Sequence, residues 1–238
     1  MSAKDEVIDA TKFKSECIQP GTEGLIPNRN VSVGSEDCLY LNIYIPKNQT
    51  DLDKNQFPVM FWIHGGSNIW GSGDFYDFSK LATTQQVIVV TINYRLGLFG
   101  WFSSEHLRNT ATGLDKSSNF GQLDLIKGLE WVQENISAFG GDKDNITIFG
   151  ESAGGHNVLT LLASPLSEGL FHKAISQSGY VSSYTQKFAE EESELSSKKI
   201  FAEETKFLVS DTEVADYLRS LSSEEVYQKS VSYTHLRA

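Results

Sequence analysis

The sequence predicts an α/β fold in which a mostly parallel sheet carries helices on its faces. Strand-like and helix-like segments alternate from about Leu39 to Gln177. Two of the strand-like segments, Phe57–Ile63 and Val87–Ile92, are nearly continuous apolar runs rich in β-branched and aromatic residues. Such runs are typical of strands covered on both sides, and their alternation with helices is typical of parallel sheets. We therefore expect both segments to be central strands.

Shorter patterns predict the other elements. Leu39–Ile45 alternates apolar and polar residues and is followed by Pro46, which predicts a half-exposed strand. Apolar residues between positions 123 and 136 recur at spacings of three and four, which predicts an amphipathic helix with Leu125, Ile126, Leu129, Val132 and Ile136 on one face. The remaining expected elements are a polar turn at 51–56, strands at Asn145–Phe149 and Lys173–Gln177, and a helix at Ser152–Ala163.

The character of the sequence changes at about residue 190. Glu190–Lys229 is charged and has helical periodicity, and Ser210 with Asp211 can cap a second helix within it. We interpret residues 190–230 as a helical, lid-like segment of one partial domain that spans residues 1–230. The last eight residues, 231–238, fit neither pattern, and their codons can spell a transposase adaptor used in library sequencing. We expect this tail to be an adaptor-derived scar, with the natural chain continuing beyond Ser230.

Composition excludes several classes of protein. The chain has 238 residues, of which 39% are hydrophobic and 21% charged, close to the globular average. Its 20 basic and 31 acidic residues give a net charge of −11, which argues against nucleic-acid binding because such binding needs a basic face. The sequence contains no window of about 18 uncharged apolar residues and therefore predicts no membrane-spanning helix. The first ten residues carry three acids and do not form a secretory signal as they stand.

The two cysteines, Cys17 and Cys38, lie in the same N-terminal stretch. They can close a disulfide loop, which would imply an oxidising compartment, or they can be two separate buried thiols, which would not. The spacing alone leaves both alternatives open.

The sharpest local motif is Gly150-Glu151-Ser152-Ala153-Gly154. It follows the strand predicted at Asn145–Phe149 and opens the next helix, which is the context of a nucleophile elbow. In such an elbow the serine lies on a tight, strained turn, and side chains two positions before and after it would clash with neighbouring backbone. Glycine at positions 150 and 154 removes both clashes. Although the bare pentapeptide also arises by chance in loops, in this context it predicts that Ser152 is a catalytic nucleophile.

A second motif, His64-Gly65-Gly66-Ser67, follows the strand Phe57–Ile63. An ester hydrolase must stabilise the negative oxygen of a tetrahedral intermediate, and preorganised backbone N–H groups do this well. A glycine-rich turn after a strand can supply them, together with the N–H of the residue after the nucleophile, here Ala153. Taken alone, a Gly-Gly pair is more often a plain turn. Its position ahead of an intact elbow favours the oxyanion hole.

These motifs and three further strings resemble the type-B carboxylesterase and lipase family of the α/β-hydrolase fold. The matching strings run in family order: Ser35–Asn42, Trp62–Gly66, Asn93–Arg95, Trp131–Asp142 and Gly150–Gly155. The resemblance extends from about Asp9 to Gly179. It implies a serine carboxylic-ester hydrolase that works through an acyl-enzyme on a small-molecule ester, with no cofactor and no metal.

The resemblance also implies roles for individual residues. Ser152 would be the nucleophile, and the oxyanion-hole N–H groups would come from Gly66, Ser67 and Ala153. The glycines that would support the two turns are Gly65, Gly150 and Gly154. Ser67 stands where the family usually has a third glycine, so its hydroxyl would narrow the pocket. Cys17 and Cys38 would form the family's first disulfide, which suggests a secreted or periplasmic location.

Two parts of the family pattern have no counterpart in the sequence. The family's chain begins with β-structure ahead of the segment that matches Asp9–Phe13, so Met1 is not expected to be the natural start. The triad order in this fold is Ser, then Asp or Glu, then His, and only 86 residues follow Ser152. None of the five histidines is expected to be the general base: His64, His106, His156, His172 and His235. We therefore expect this chain to be an incomplete fragment that lacks the triad acid and histidine.

One alternative belongs to a different class of protein. The same fold serves as a non-catalytic binding or adhesion module in neuroligin-like proteins. Because such modules typically lose the serine, the intact Ser152 argues against this alternative. The oligomeric state and the acyl and alcohol preferences are not predicted.

Overall fold

The computed structural model describes residues 9–23, 26–46, 56–192 and 196–235. Within these ranges a small antiparallel hairpin precedes a five-stranded sheet of strand order β3-β5-β4-β6-β7. The hairpin consists of β1 (Gln19–Glu23) and β2 (Ile26–Val33). The sheet consists of β3 (Leu41–Tyr44), β4 (Phe57–Ile63), β5 (Ile88–Ile92), β6 (Gly141–Glu151) and β7 (Lys173–Gln177). Strand β3 is antiparallel to β5, and the other pairs are parallel.

Helices connect the strands and follow the sheet. Those between the strands are α1 (Ser79–Gln85), α2 (Gly97–Trp101), α3 (Glu105–Thr110), α4 (Phe120–Asn135) and α5 (Ala153–Ala163). Those after it are α6 (Ser197–Ile200), α7 (Ala202–Thr205), α8 (Asp211–Ser220) and α9 (Ser223–His235). A π-helical turn, Phe188–Glu192, precedes α6. Among the described residues, no helix is both long and apolar enough to cross a membrane.

The two faces of the sheet carry separate apolar cores. Alternate residues of β4, such as Phe61 and Ile63, pack in one core with residues of α4 and α5. Trp62 points to the opposite face and packs in a second core with Ala82 of α1 and Phe149 of β6. Because side chains alternate along a strand, one short segment serves both cores. The predicted α/β class, with helices on both faces of a mostly parallel sheet, is confirmed.

Most predicted elements are present, with shifted ends. Strands β4 and β5 each have a neighbour on both sides and are central, as predicted. Helix α4 begins three residues before the predicted start, and Ile136 belongs to a following 3₁₀ turn. Strand β6 extends beyond the predicted Asn145–Phe149 at both ends, whereas β7 has the predicted bounds. Residues 51–55 of the predicted polar turn lie outside the described residues.

The sequence did not predict the β1–β2 hairpin. Pro20 and Gly21 lie inside β1, and Pro27 and Asn28 lie inside β2. These residue types are depleted in strands, and the pairing register shifts between Pro20 and Gly21. The hairpin therefore lacks the alternation from which strands are predicted.

The loop that contains this hairpin is closed by a disulfide. The Cys17 and Cys38 sulfurs are bonded, the Cα atoms are 4.8 Å apart, and both residues are buried. Of the two alternatives that the spacing left open, the disulfide is the one present. A disulfide is compatible with an extracellular location.

The segment after residue 190 is helical, as expected, and packs on earlier parts of the chain. Ser210 caps α8, and Glu213 completes a capping box with it. The buried Glu190 accepts a 2.9 Å hydrogen bond from Arg108 of α3, and the Tyr227 hydroxyl donates to the carbonyl of Arg29 at 3.0 Å. Helix α9 continues to His235, into the predicted scar at 231–238. The scar and the lid-like role of the segment both stay predictions.

Candidate active site

The two predicted motifs lie side by side at one edge of the sheet. Strands β4 and β6 are parallel neighbours, and Ile63 at the end of β4 pairs with Gly150 near the end of β6. In such sheets, ligands bind in the crevice outside the carboxyl ends of the strands. The residues after β4, His64–Gly73, form what we call the glycine turn. A Cβ placed on Gly65 would lie 3.2 Å from Cβ of Ser152, so this turn lies directly against the serine.

Ser152 occupies a strained turn between β6 and α5. Its backbone angles are φ 56° and ψ −122°, on the positive-φ side that residues with a side chain rarely adopt. A Cβ on Gly150 would lie 2.6 Å from the backbone of Gly154, and one on Gly154 would lie 2.0 Å from the carbonyl oxygen of Ile63. The chain therefore has backbone atoms where side chains at these two positions would have to go, as expected of a nucleophile elbow.

Strand β7 supports this elbow from the other side. The Ser152 N–H donates to the Gln177 carbonyl at 2.9 Å, and the Ser176 hydroxyl donates to the Gly155 carbonyl, also at 2.9 Å. Gly155 and Gly179 approach so closely that a Cβ on either would lie about 3 Å or less from backbone of the other. The serine is thus fixed by main-chain contacts on both sides.

The peptide units of the glycine turn have fixed orientations. Because a trans peptide is planar, with its C=O and N–H opposed, a contact that holds the carbonyl also aims the next N–H. The Gly65 carbonyl lies 2.8 Å from Nδ1 of His64. The Gly66 carbonyl accepts hydrogen bonds from the N–H groups of Ile69, at 2.9 Å, and Trp70, at 3.1 Å. The first contact therefore aims the N–H of Gly66, and the other two aim the N–H of Ser67.

The elbow presents a third N–H in the same way. The Ser152 carbonyl accepts a 3.0 Å hydrogen bond from the His156 N–H within α5, which aims the N–H of Ala153. Within the part of the chain that the structure describes, the N–H groups of Gly66, Ser67 and Ala153 donate no hydrogen bond to another residue. Backbone N–H groups without an acceptor in the fold are available to donate to a bound ligand, so the oxyanion-hole role of these three residues stays a prediction.

His64 is a neutral, buried part of the glycine turn. Only 2% of the residue is exposed, its ring stacks on Tyr94 with centroids 4.3 Å apart, and the Tyr94 hydroxyl donates to the His64 carbonyl at 2.6 Å. Burial lowers the pKa of His64 to about 4 by disfavouring the charged imidazolium, against smaller opposing effects of the Gly65 carbonyl and Asp74. Since the Gly65 carbonyl can only accept, Nδ1 carries the proton of the neutral ring.

This lowered pKa predicts a pH-dependent stability. The unfolded chain, in which the histidine pKa is 6.5, binds more protons than the folded chain between about pH 4 and 6.5. The free energy of unfolding should therefore decrease as the pH is lowered from 6.5 to 4, by about 3 kcal/mol in all from His64. Urea unfolding at pH 7 and 4.5 measures the loss in the wild type and in His64→Gln. A loss equally large in the variant would contradict this assignment.

Ser67 adopts a conformation that glycine favours. It is exposed and has φ 58°, and a left-handed conformation costs a residue with a Cβ about 1–2 kcal/mol. We expect Ser67→Gly to stabilise the protein by about 1 kcal/mol, or about 2 °C in Tm. Ser67→Ala keeps the Cβ and serves as the control in the same thermal unfolding measurement. An equal gain in both variants would show that the hydroxyl, and not the backbone, is responsible.

The histidines are engaged elsewhere. Nδ1 of His156 lies 2.5 Å from the Tyr180 carbonyl oxygen, and His172 accepts a hydrogen bond from the N–H of Ile146. Nδ1 of His106 lies 2.6 Å from Asp211, and His64 is buried in the glycine turn. None of these four side chains hydrogen-bonds to Ser152 in the described part of the chain. The side chain of His235 lies outside the description.

Several residues that contact the glycine turn were not predicted. Gln19 and Asn93 hydrogen-bond to its backbone, and Asn157 of α5 donates to the Asn68 side chain at 2.9 Å. Asn93 lies in one of the strings that carry the family resemblance, which is a signal in the sequence. Gln19 carries no such signal. It is close to Cys17 in the sequence, but this does not predict a contact with a turn 52 residues away.

Two curated relatives match about three quarters of this chain. The chain is 49% identical over 177 residues to the para-nitrobenzyl esterase of Bacillus subtilis, covering 74% of this chain and 34% of that protein. It is 47% identical over 183 residues to carboxylesterase 1E of Rattus norvegicus, covering 73% and 31%. The chain therefore spans about a third of the length of these curated relatives.

Solved structures show the same fold. A thermophilic pNB esterase superimposes with a TM-score of 0.77 at 38% identity, over 96% of this chain and 44% of that one. A carboxylesterase of Geobacillus stearothermophilus superimposes with a TM-score of 0.75 at 39% identity, over 94% and 43%. The sequence profile of the carboxylesterase family matches residues 3–237. With its sheet, elbow and glycine turn, the chain belongs to the carboxylesterase family.

Proposed function

We propose that the protein is a serine carboxylic-ester hydrolase that acts on small-molecule esters through an acyl-enzyme. The Ser152 hydroxyl oxygen attacks the ester carbonyl carbon, and the carbonyl oxygen becomes an oxyanion held by the N–H groups of Gly66, Ser67 and Ala153. The general base takes the serine's proton during the attack and gives it to the alcohol oxygen when the tetrahedral intermediate collapses and the bond to that oxygen breaks. Water then attacks the acyl-serine and releases the carboxylic acid.

The observation that carries this proposal is the placement of Ser152. Its strained backbone follows β6 directly, and the glycine turn, whose Gly66 and Ser67 N–H groups are unengaged, lies against it. Backbone strain of this kind costs about 1–3 kcal/mol and persists mainly at functional sites. The same strain disfavours a non-catalytic binding or adhesion module, in which a strained serine beside unengaged N–H groups would have no use.

The general base and its acid partner are proposed to lie outside this chain. The family's triad has a histidine and an acid after the serine in sequence. In support, the four described histidine side chains are engaged away from Ser152, and the curated relatives are about three times as long. We propose that this chain is an incomplete fragment and that the complete product of its gene supplies both groups. We also propose that the complete product is secreted or periplasmic. Fractionation of expressing cells tests the location.

The proposed reaction is tested on two proteins, the complete gene product and the 238-residue chain. We expect the complete product to hydrolyse a short-chain nitrophenyl ester and to be labelled by a fluorophosphonate at Ser152, as located by peptide mass mapping. The 238-residue chain should do neither at a comparable rate, because its serine keeps its proton. Labelling at another residue would refute the nucleophile. Full activity of the 238-residue chain would refute the missing triad.

A further inference from the structure

Two side-chain amides connect the disulfide loop to the glycine turn. Gln19, only two residues after Cys17, is 3% exposed. Its side-chain oxygen accepts the Gly71 N–H at 2.6 Å, and its Nε2 donates to the Gly71 carbonyl at 3.0 Å. The same Nε2 also contacts the Cys17 carbonyl at 3.1 Å and the Glu16 carboxylate at 3.0 Å. The amide thus binds one residue of the turn through both its backbone groups.

Asn93 makes a parallel connection two residues further along. Its side-chain oxygen accepts the Gly73 N–H at 2.7 Å. Its Nδ2 donates to the carbonyls of Ser15 and Cys38, each at 3.1 Å. Both amides are therefore anchored next to the cysteines. The disulfide joins the two anchoring segments covalently.

Gly71 transmits this restraint to His64. It has φ +118°, and a Cβ placed on it would lie 2.4 Å from Nδ1 of His64 and 2.9 Å from the adjacent ring carbon. The backbone of Gly71 is thus packed against the ring edge that contacts the Gly65 carbonyl. That carbonyl belongs to the same peptide unit as the N–H of Gly66. A continuous series of contacts therefore connects Gln19, through Gly71 and His64, to the N–H of Gly66, which is a proposed oxyanion donor.

We infer that Gln19 is a positioning residue for the oxyanion hole, acting through Gly71 and His64 on the N–H of Gly66. This inference rests on the proposed function. Gln19 touches neither the nucleophile nor the three donors, so its effect is on their orientation. Oxyanion donors act more strongly on the transition state than on the bound ester, so a loosened donor lowers kcat more than it changes KM.

The test replaces Gln19 with methionine, which has a similar shape but no hydrogen-bonding amide. Gln133 provides the matched control, because its amide also binds backbone carbonyls, those of Lys143 and Leu170, but outside the glycine turn. In the complete gene product, Gln19→Met should lower kcat about 10-fold with KM unchanged. Its affinity for a trifluoromethyl ketone, which mimics the tetrahedral intermediate, should fall by a similar factor. Gln133→Met should leave all three values near wild type.

A measurement independent of activity separates this inference from the proposed function. Hydrogen exchange followed by mass spectrometry should show faster exchange of peptides covering 64–73 in Gln19→Met and unchanged exchange in Gln133→Met. Gln19→Glu keeps the acceptor for the Gly71 N–H but puts a carboxylate oxygen against the Gly71 and Cys17 carbonyls and the Glu16 carboxylate, so it should also speed exchange of these peptides. If Gln19→Met has the same exchange of these peptides and the same kcat as the wild type, the inference is overturned. A complete gene product without esterase activity would overturn the proposed function, while the exchange data would still decide whether Gln19 restrains the turn.

Discussion

Replacing Ser152 with alanine in the complete gene product is expected to lower kcat for a nitrophenyl ester by about 10⁶-fold. The substitution removes the oxygen that forms the acyl-enzyme but retains the Cβ and the surrounding backbone. The three N–H groups remain, so a residual acceleration of about 10³-fold over the uncatalysed reaction should persist. The measurement is steady-state hydrolysis, with fluorophosphonate labelling as a second readout that should be lost completely.

Ser178 offers a control of the same residue type. It also has a positive φ, 53°, and is exposed in the segment after β7. Ser178→Ala therefore makes the same chemical change at another exposed serine of positive φ that, among the described residues, hydrogen-bonds to no proposed oxyanion donor, and kcat should stay near the wild-type value. A comparable loss in both variants would indicate a general effect on folding, and little loss in Ser152→Ala would refute the nucleophile.

The second large effect is expected from Gly154→Ala, which should destabilise the protein by about 3 kcal/mol or more. In an ordinary helix interior the same change is stabilising by about 1 kcal/mol. Here the added Cβ would lie 2.0 Å from the carbonyl oxygen of Ile63 and 2.7 Å from that of His64. Neither atom belongs to a flexible side chain, so α5 or the end of β4 would have to move. The midpoint of urea unfolding measures the loss.

Gly21→Ala is the corresponding control in the hairpin. A Cβ at this position would have no neighbour nearer than 3.5 Å, which is ordinary van der Waals contact. Its unfolding midpoint should change by far less than that of Gly154→Ala. If the two variants lose similar amounts of stability, the close approach of α5 to β4 is not what requires glycine at position 154.

The elements and motifs that could be predicted from the sequence have strong local patterns. Strand β5 is a nearly continuous apolar run, interrupted only by Thr91, with every residue buried, and the glycines at 150 and 154 flank a serine at a fixed spacing. In both cases nearby residues determine the conformation. The two motifs were expected to act together because they do so in lipase and esterase folds, and the parallel pairing of Ile63 with Gly150 places them side by side.

The support of the glycine turn could not be predicted because it depends on contacts between distant residues. Gln19 meets Gly71 across 52 positions, and Asn93 meets the Cys38 carbonyl across 55. A single glutamine or asparagine gives no sign of its partner, and the β1–β2 hairpin that follows Gln19 lacks strand periodicity. The buried state of His64 was also hidden, since it depends on Tyr94 and Gly71 closing around the ring.

The position of β7 has a consequence for how the chain behaves in solution. Among the described strands it pairs only with β6, and four of its five side chains are exposed. Its outer edge presents backbone N–H and C=O groups in the spacing that another strand needs, and Ile175 adds an apolar contact that is 45% exposed. Such an edge is a template for strand addition between molecules. We therefore expect the 238-residue chain to self-associate increasingly as protein concentration rises, through the same strand that holds the nucleophile elbow in place.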